Sequence, residues 1–204
     1  GVDASTGRVP GAAVEAALTV TFHAPKVGHA VSPGRFHAGE VVVADIGLAG
    51  VPTQLRRATA GILELVPRRS ARDNKYSAGA VLVVGGSRGL TGAPSLTSEA
   101  ALRAGAGIVT ACVPASLNVV FEQRLVEVMT RPCPDEDGAL VPDAADEILA
   151  AAKRAGAIAL GPGLGRTDGT RALVGFLLDR LDKPVVLDAD GLWALAGHLD
   201  WVFS

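Results

Sequence analysis

The sequence predicts an α/β fold in which a mostly parallel sheet carries helices on both faces. Three observations point there. Short apolar runs recur at residues 81–84, 108–113, 157–160 and 185–187. Segments of helical length and composition separate most of them. Three of the runs end abruptly in glycine or aspartate clusters, at 85–92, 161–165 and 188–191. Strands that alternate with helices imply parallel neighbours buried on both faces.

Taken in order, residues 1–11 are turn-rich and polar. Leu18, Val20 and Phe22 alternate with Thr19, Thr21 and His23, the period of a strand with two unlike faces. Residues 23–28 break it, a glycine and proline loop follows at 32–35, and 40–46 is a second apolar strand. No helix-length segment lies between these strands, so this region reads as the tail of a domain. Composition shifts over 50–72: residues 58–66 predict a short helix, and Pro67-Arg68-Arg69-Ser70-Ala71-Arg72 a solvated basic connector. The expected division is a segment 1–52, a linker 53–72 and a larger domain 73–204.

Within the larger domain, strand 81–84, the turn at Gly85 and Gly86, a helix from Pro94 to Gly105 and strand 108–113 form one right-handed crossover unit. Leu96, Ala100 and Arg103, with Ala101 and Ala104, give the helix a small-residue face expected to lie on the sheet. Residues 117–124 predict a second helix, 126–130 a short strand and 133–140 an acidic turn. Asp143 is the expected N-cap of a helix reaching Arg154, with Asp146 favouring its positive end. Thr167 or Asp168 caps the next helix, which runs to about Leu181, and residues 201–204 read as the opening of a further strand.

Composition narrows the function. Hydrophobic residues make up 49% and aromatics only 4%, so the core must be built from Ala, Val and Leu. The formal net charge of −2 argues against a nucleic-acid surface. No apolar run approaches the ~20 residues that span a bilayer, and the start has no signal-peptide layout. Cys112 and Cys133 lack metal or redox spacing and read as buried free thiols, which fits a reducing cytoplasm. Met129 is the only methionine, so both ends are expected to be cuts through a longer polypeptide.

Parallel strands place their C-terminal ends on one sheet edge, where ligands bind. The three clusters should therefore converge. Each also has a bland reading. Gly85, Gly86 and Ser87 form either a tight turn or a phosphate cradle. GGSRGLTG fits neither the dinucleotide fingerprint nor a Walker loop. Gly161, Gly163 and Gly165 are strand-end turn glycines or a close backbone approach to a ligand. Asp190 is expected to cap the helix that follows it, and Asp188, at the strand tip, to hold a hydroxyl or a hydrated cation. Lys75 is a solvated lysine or an anion contact. His23, His29, His37 and His198 show no ligand spacing, and Asn118 with Glu122 reads as a helix surface pair.

Asn74-Lys75 ahead of VLVVGGSRGLTGAPSLTSEAALRAGAGIVT, then GPGLG, then VLDADG, in that order, resembles the NAD(P)H-hydrate dehydratase family of the ribokinase-like superfamily. Residues 1–7, 19–26 and 45–47 resemble the close of an NAD(P)H-hydrate epimerase domain, the tail of a Rossmann-like α/β domain. The resemblance implies a bifunctional metabolite-repair enzyme. Its epimerase interconverts the two hydrate epimers with bound K+. Its dehydratase uses ADP (or ATP) with Mg2+ to phosphorylate the ring hydroxyl of the S epimer, and loss of phosphate restores the reduced nicotinamide. Its partners are NAD(P)H-hydrate and an adenine nucleotide, and it is a homo-oligomer, a tetramer.

The resemblance places substrate contacts on Ala93, Gly161, Gly163 and Gly165, with Asp188 and Asp190 in the crevice; the residues themselves make Gly85, Gly86, Ser87 and Lys75 the candidate phosphate contacts. Asn74-Lys75-Tyr76-Ser77-Ala78-Gly79 departs from the usual Lys-Gly pair. The family's His-Pro-Gly-Glu segment and its catalytic Gly-Asp pair are absent, so no catalytic residue is assigned in this chain. The chain by itself is expected to show neither activity. A ribokinase-like small-molecule kinase and a non-catalytic nucleotide-binding or assembly protein are the rival readings.

Overall fold

The computed structural model describes residues 1–50, 53–66, 70–72, 74, 75 and 77–203. Pro67, Arg68 and Arg69 of the connector, Tyr76, Ser204 and the segment limits at 52 and 73 lie outside them. The chain divides into two compact units, Gly1–Leu65 and Val66–Ser204.

In the first unit, strands β1 (Leu18–Phe22) and β2 (Glu40–Ala44) pair in parallel. Two single-turn 3-10 helices, Val27–His29 and Gly34–His37, occupy the connection. The Lys26 ammonium ties that loop together by donating to the Phe22 carbonyl at 2.9 Å and to Thr21 Oγ1 at 3.3 Å. Leu18, Val20 and Phe22 share one face of β1, and all three are exposed. The helix expected at 58–66 is a 3-10 turn, Ala60–Leu65.

The second unit is a five-stranded parallel sheet. It contains β3 (Ala80–Val84), β4 (Ile108–Pro114), β5 (Met129–Cys133), a two-stranded hairpin of β6 (Asp135–Glu136) with β7 (Ala139–Leu140), then β8 (Ala157–Leu160) and β9 (Val185–Leu187). The sheet order is β5-β4-β3-β8-β9, with every neighbouring pair parallel. Helices α1 (Gly92–Arg103), α2 (Asn118–Arg124), α3 (Ala145–Ala152), α4 (Asp168–Leu178), α5 (Asp190–Ala194) and α6 (Asp200–Phe203) fill the connections and the C-terminal end.

The two-residue period of β3 divides the core. Leu82 and Val84 face Ile148 of α3 with Leu173 and Leu177 of α4. Val83 faces Phe121 of α2 with Ala101 and Leu102 of α1. Helices therefore cover both faces of the sheet, as the strand–helix alternation predicts.

Several local expectations change. Helix α1 buries Pro94, Ser95 and Ser98 and leaves Leu96 62% exposed, with Ala100 and Arg103 also outward. Serine tolerates that side because each hydroxyl donates back one turn, Ser95 to the Thr91 carbonyl at 2.8 Å and Ser98 to the Pro94 carbonyl at 2.7 Å. The third strand of the sheet starts at Met129 rather than Val126, because Val126 is 92% exposed on the turn before it. Asp143 caps no α-helix: it lies in a 3-10 turn, Pro142–Ala144, that precedes α3. Asp146 does lie in the first turn of α3. The capping residue of α4 is Thr167, whose Oγ1 accepts from the Thr170 N–H at 3.0 Å. The end of the chain forms α6 rather than a strand, with Trp201 stacked on His198 at 4.4 Å between ring centroids. Cys112 and Cys133 are free and buried.

Candidate functional site at the sheet switch point

The strand order reverses direction between β3 and β8. From β3 the chain moves outward to β4 and β5, and from β8 outward on the other side to β9. The loops leaving β3 and β8 then diverge, and the crevice between them is the expected ligand site of an open parallel sheet. All three clusters singled out in the sequence meet on this edge.

Gly85 and Gly86 lie against the β8 loop. A Cβ on Gly85 would strike the Pro162 carbonyl oxygen, and the Gly86 N–H donates to that same oxygen at 3.0 Å. Ser87 Oγ, 6% exposed, donates to the Gly163 carbonyl at 2.9 Å. On the other side, a Cβ on Gly161 would strike the Asp188 carbonyl oxygen, and the Asp188 N–H donates to Leu160 at 3.1 Å. A chain of backbone contacts thus joins the ends of β3, β8 and β9.

The Gly85 N–H donates to the Cys112 carbonyl at 3.2 Å, and the Gly86 N–H is bonded as above. Gly85, Gly86 and Ser87 are all buried. They lie in a tight turn that shapes the floor of the crevice. Lys75 falls elsewhere. Its backbone carbonyl lies against Gly107, which precedes β4, so it sits at the opposite edge of the sheet.

The accessible rim is built from other atoms. Ala93 is exposed in the first turn of α1, next to Pro94, which touches the position a Gly163 Cβ would take. Leu90, 45% exposed, and Leu96, one helical turn beyond Ala93, give this wall an apolar surface. Gly161 and Gly163 are buried in the floor, whereas Gly165 is partly open and Arg166 exposed. Asp188 is exposed at the tip of β9. The N-termini of α1 and α4 both start from this edge, which favours negative charge there. Among the described residues no three His, Cys, Asp or Glu side chains converge on a metal-sized site. A divalent cation here would ride on ligand phosphates with Asp188 as the available carboxylate.

Asp190 departs from its expected capping role. The N-cap of α5 is Ala189, and the Asp190 carboxylate turns back to the β8 loop. Its Oδ2 accepts from the Gly165 N–H at 3.0 Å and its Oδ1 from Arg166 Nε at 2.8 Å.

The β6–β7 hairpin closes one flank, since the Arg88 N–H donates to the Gly138 carbonyl at 2.9 Å and Arg88 Nε to the Asp137 carbonyl at 3.1 Å. Sequence reasoning saw an acidic turn here and missed its docking. Asp137 and Gly138, adopting φ of +50° and +76°, were the available turn signal. Asp135 anchors the hairpin. Burial opposes its ionisation, but hydrogen bonds from Ser116 Oγ, the Ser116 N–H and the Gly138 N–H outweigh that and hold its carboxyl below the usual range. Within the core, the adjacent Cys133 sulfur and then burial push the Cys112 thiol far above its ordinary value.

A parallel α/β sheet with glycine loops interlocked at its switch point is a ribokinase-like fold. A ribokinase-like protein from Enterococcus faecalis has this fold, with a TM-score of 0.56 at 21% identity, over 74% of this chain and 51% of that one. The family model for NAD(P)H-hydrate dehydratase matches residues 81–204, and the chain belongs to that family. A bifunctional NAD(P)H-hydrate repair enzyme from Salinibacter ruber is 44% identical over 98% of this chain and 39% of its own length. The chain thus spans about two fifths of that relative. An ADP/ATP-dependent NAD(P)H-hydrate dehydratase from Bacillus subtilis, co-crystallised with ATP and Mg2+, is 27% identical with a TM-score of 0.50, over 66% of this chain and 46% of that one.

Proposed function

We propose that this chain forms the substrate-side half of an NAD(P)H-hydrate dehydratase site within a bifunctional repair enzyme. One observation carries the reading: the loops after β3, β8 and β9 interlock at the switch point and leave Ala93, Gly165, Arg166 and Asp188 accessible along one rim. The apolar wall of Leu90, Ala93 and Leu96 suits the uncharged reduced ring, and the helix N-termini suit its phosphates. Bound ADP (or ATP) with Mg2+ supplies the phosphoryl group that turns the ring hydroxyl into a leaving group. This chain's own residues bind and orient the hydrate and shield it from water.

The first unit, Gly1–Leu65, is the close of the epimerase domain in this proposal, supported by relatives that are bifunctional and align along nearly the whole chain. The buried free thiols support a reducing cytoplasmic setting. Exposed Val119 and Val120 on α2 support assembly as a homo-oligomer, with a tetramer as the expected size.

The test is a chimera. This chain replaces the matching segment of the Salinibacter ruber enzyme, and dehydration of NADPH-hydrate is followed by recovery of nicotinamide absorbance with ADP or ATP and Mg2+. The chimera is expected to restore NADPH, and the isolated chain to give no turnover. A folded chimera that phosphorylates the hydrate without releasing NADPH would favour the kinase reading. One that neither turns over nor binds the hydrate would refute the assignment.

A further inference from the structure

The geometry points to Asp190 as a positioning residue that locks the Gly165–Arg166 turn in its ligand-facing conformation. Three observations carry it. Asp190 is buried, 8% exposed as a residue, so it is not a surface charge placed by chance. Each oxygen has a partner on consecutive residues of one loop, the Gly165 N–H at 3.0 Å and Arg166 Nε at 2.8 Å. A carboxylate that accepts from a backbone amide and a guanidinium together fixes both the peptide plane and the side chain that leaves it.

The residue before it also pays for this arrangement. Ala189 adopts φ +49° and ψ −114°, a conformation L-residues rarely occupy. Such strain persists where the surroundings over-determine it, commonly at functional sites. Here it turns the chain at the tip of β9 so that Asp190 faces the β8 loop. Ser87 holds the same loop from the opposite side, through the Gly163 carbonyl. The loop is therefore clamped at two points two residues apart, from two strands that flank it in the sheet. Asp190 acts through Gly165 and Arg166 and needs no contact of its own with the ligand. The lock itself is independent of the ligand, and its consequence for binding rests on the substrate reading above.

The test uses amide hydrogen exchange by NMR on the chain, with NADPH as the ligand probe. Asp190→Asn keeps one oxygen for the Gly165 amide but removes the charge, and Asp190→Ala removes both. Exchange at Gly165 is expected to speed up by about tenfold in Asp190→Asn and by about a hundredfold in Asp190→Ala. The Gly161 amide, which donates to Val84, is the internal control and should not change.

Arg166→Ala leaves the amide bond in place and should speed Gly165 exchange by only about threefold. It decides the matter if Asp190→Ala does not fold. Equal Gly165 rates in wild type and Asp190→Asn overturn the proposal. NADPH affinity, read by nicotinamide fluorescence, should fall about tenfold in Asp190→Ala, in step with the loosened loop. Unchanged affinity with a loosened loop overturns the positioning role. A wild-type chain that binds no NADPH overturns the substrate reading, and the exchange rates still decide whether Asp190 holds the loop.

Discussion

A single methyl group is enough to probe the floor of the crevice. In Gly85→Ala the added carbon lands on the Pro162 carbonyl oxygen, a backbone atom that cannot swing aside. The β3 and β8 loops must separate to admit it, at an expected cost of about 2–3 kcal/mol. Urea denaturation of the chain measures this directly. Ala189 gives the opposite sign. Its φ of +49° suits glycine, so Ala189→Gly should relieve strain and stabilise the chain by about 1 kcal/mol, net of the added freedom of the unfolded state. A loss of stability in that variant would show the turn to be unstrained.

The same scale shows what the sequence could and could not reveal. Gly85, Gly161 and Asp188 were legible because apolar runs stop abruptly at them, and a stop at a strand end marks the ligand edge whatever the detailed contacts. The role of Asp190 was not. Its partners lie 25 and 24 residues away, and no local pattern distinguishes a cap from a long-range clamp. Lys75 lies before the beginning of β3, whereas the crevice lies at the strand's end.

At the scale of elements, α1 explains one misreading. Hydrophobic periodicity assumes that polar side chains face water. Ser95 and Ser98 break the rule by satisfying their hydroxyls within the helix, so they can lie against the sheet while Leu96 faces outward beside Ala93. The β6–β7 hairpin carries a pH dependence. Asp135 ionises more readily in the folded chain than in the unfolded one, so its stabilising share is complete above the ordinary carboxylate range. That share is lost as pH falls through the lowered folded value. Asp135→Asn should flatten the acid limb of the stability curve, measured by thermal melts from neutral to acidic pH.

At the scale of the whole molecule, the parallel sheet with helices on both faces was readable because strand and helix lengths alternate regularly after Asn74. Family membership was readable because three motifs recur in one order. The interlocked loops were not, since their contacts depend on which strands become neighbours, and the β3–β8 pairing brings together segments with β4, β5 and the hairpin between them.

That pairing has a kinetic consequence. Ser87 and Gly163 are 76 residues apart, so closing the chain between them costs conformational entropy that the nearer β3–β4 pairing avoids. The β3–α1–β4 crossover should nucleate first and the β8 segment dock later, on the millisecond-to-second scale of non-local topologies. Pulse-labelled exchange during refolding should then protect the amides of β4 before that of Gly86, whose partner is Pro162. The crevice at the switch point would be among the last features to appear as the protein folds, and early intermediates would carry a nearly complete half-sheet without it.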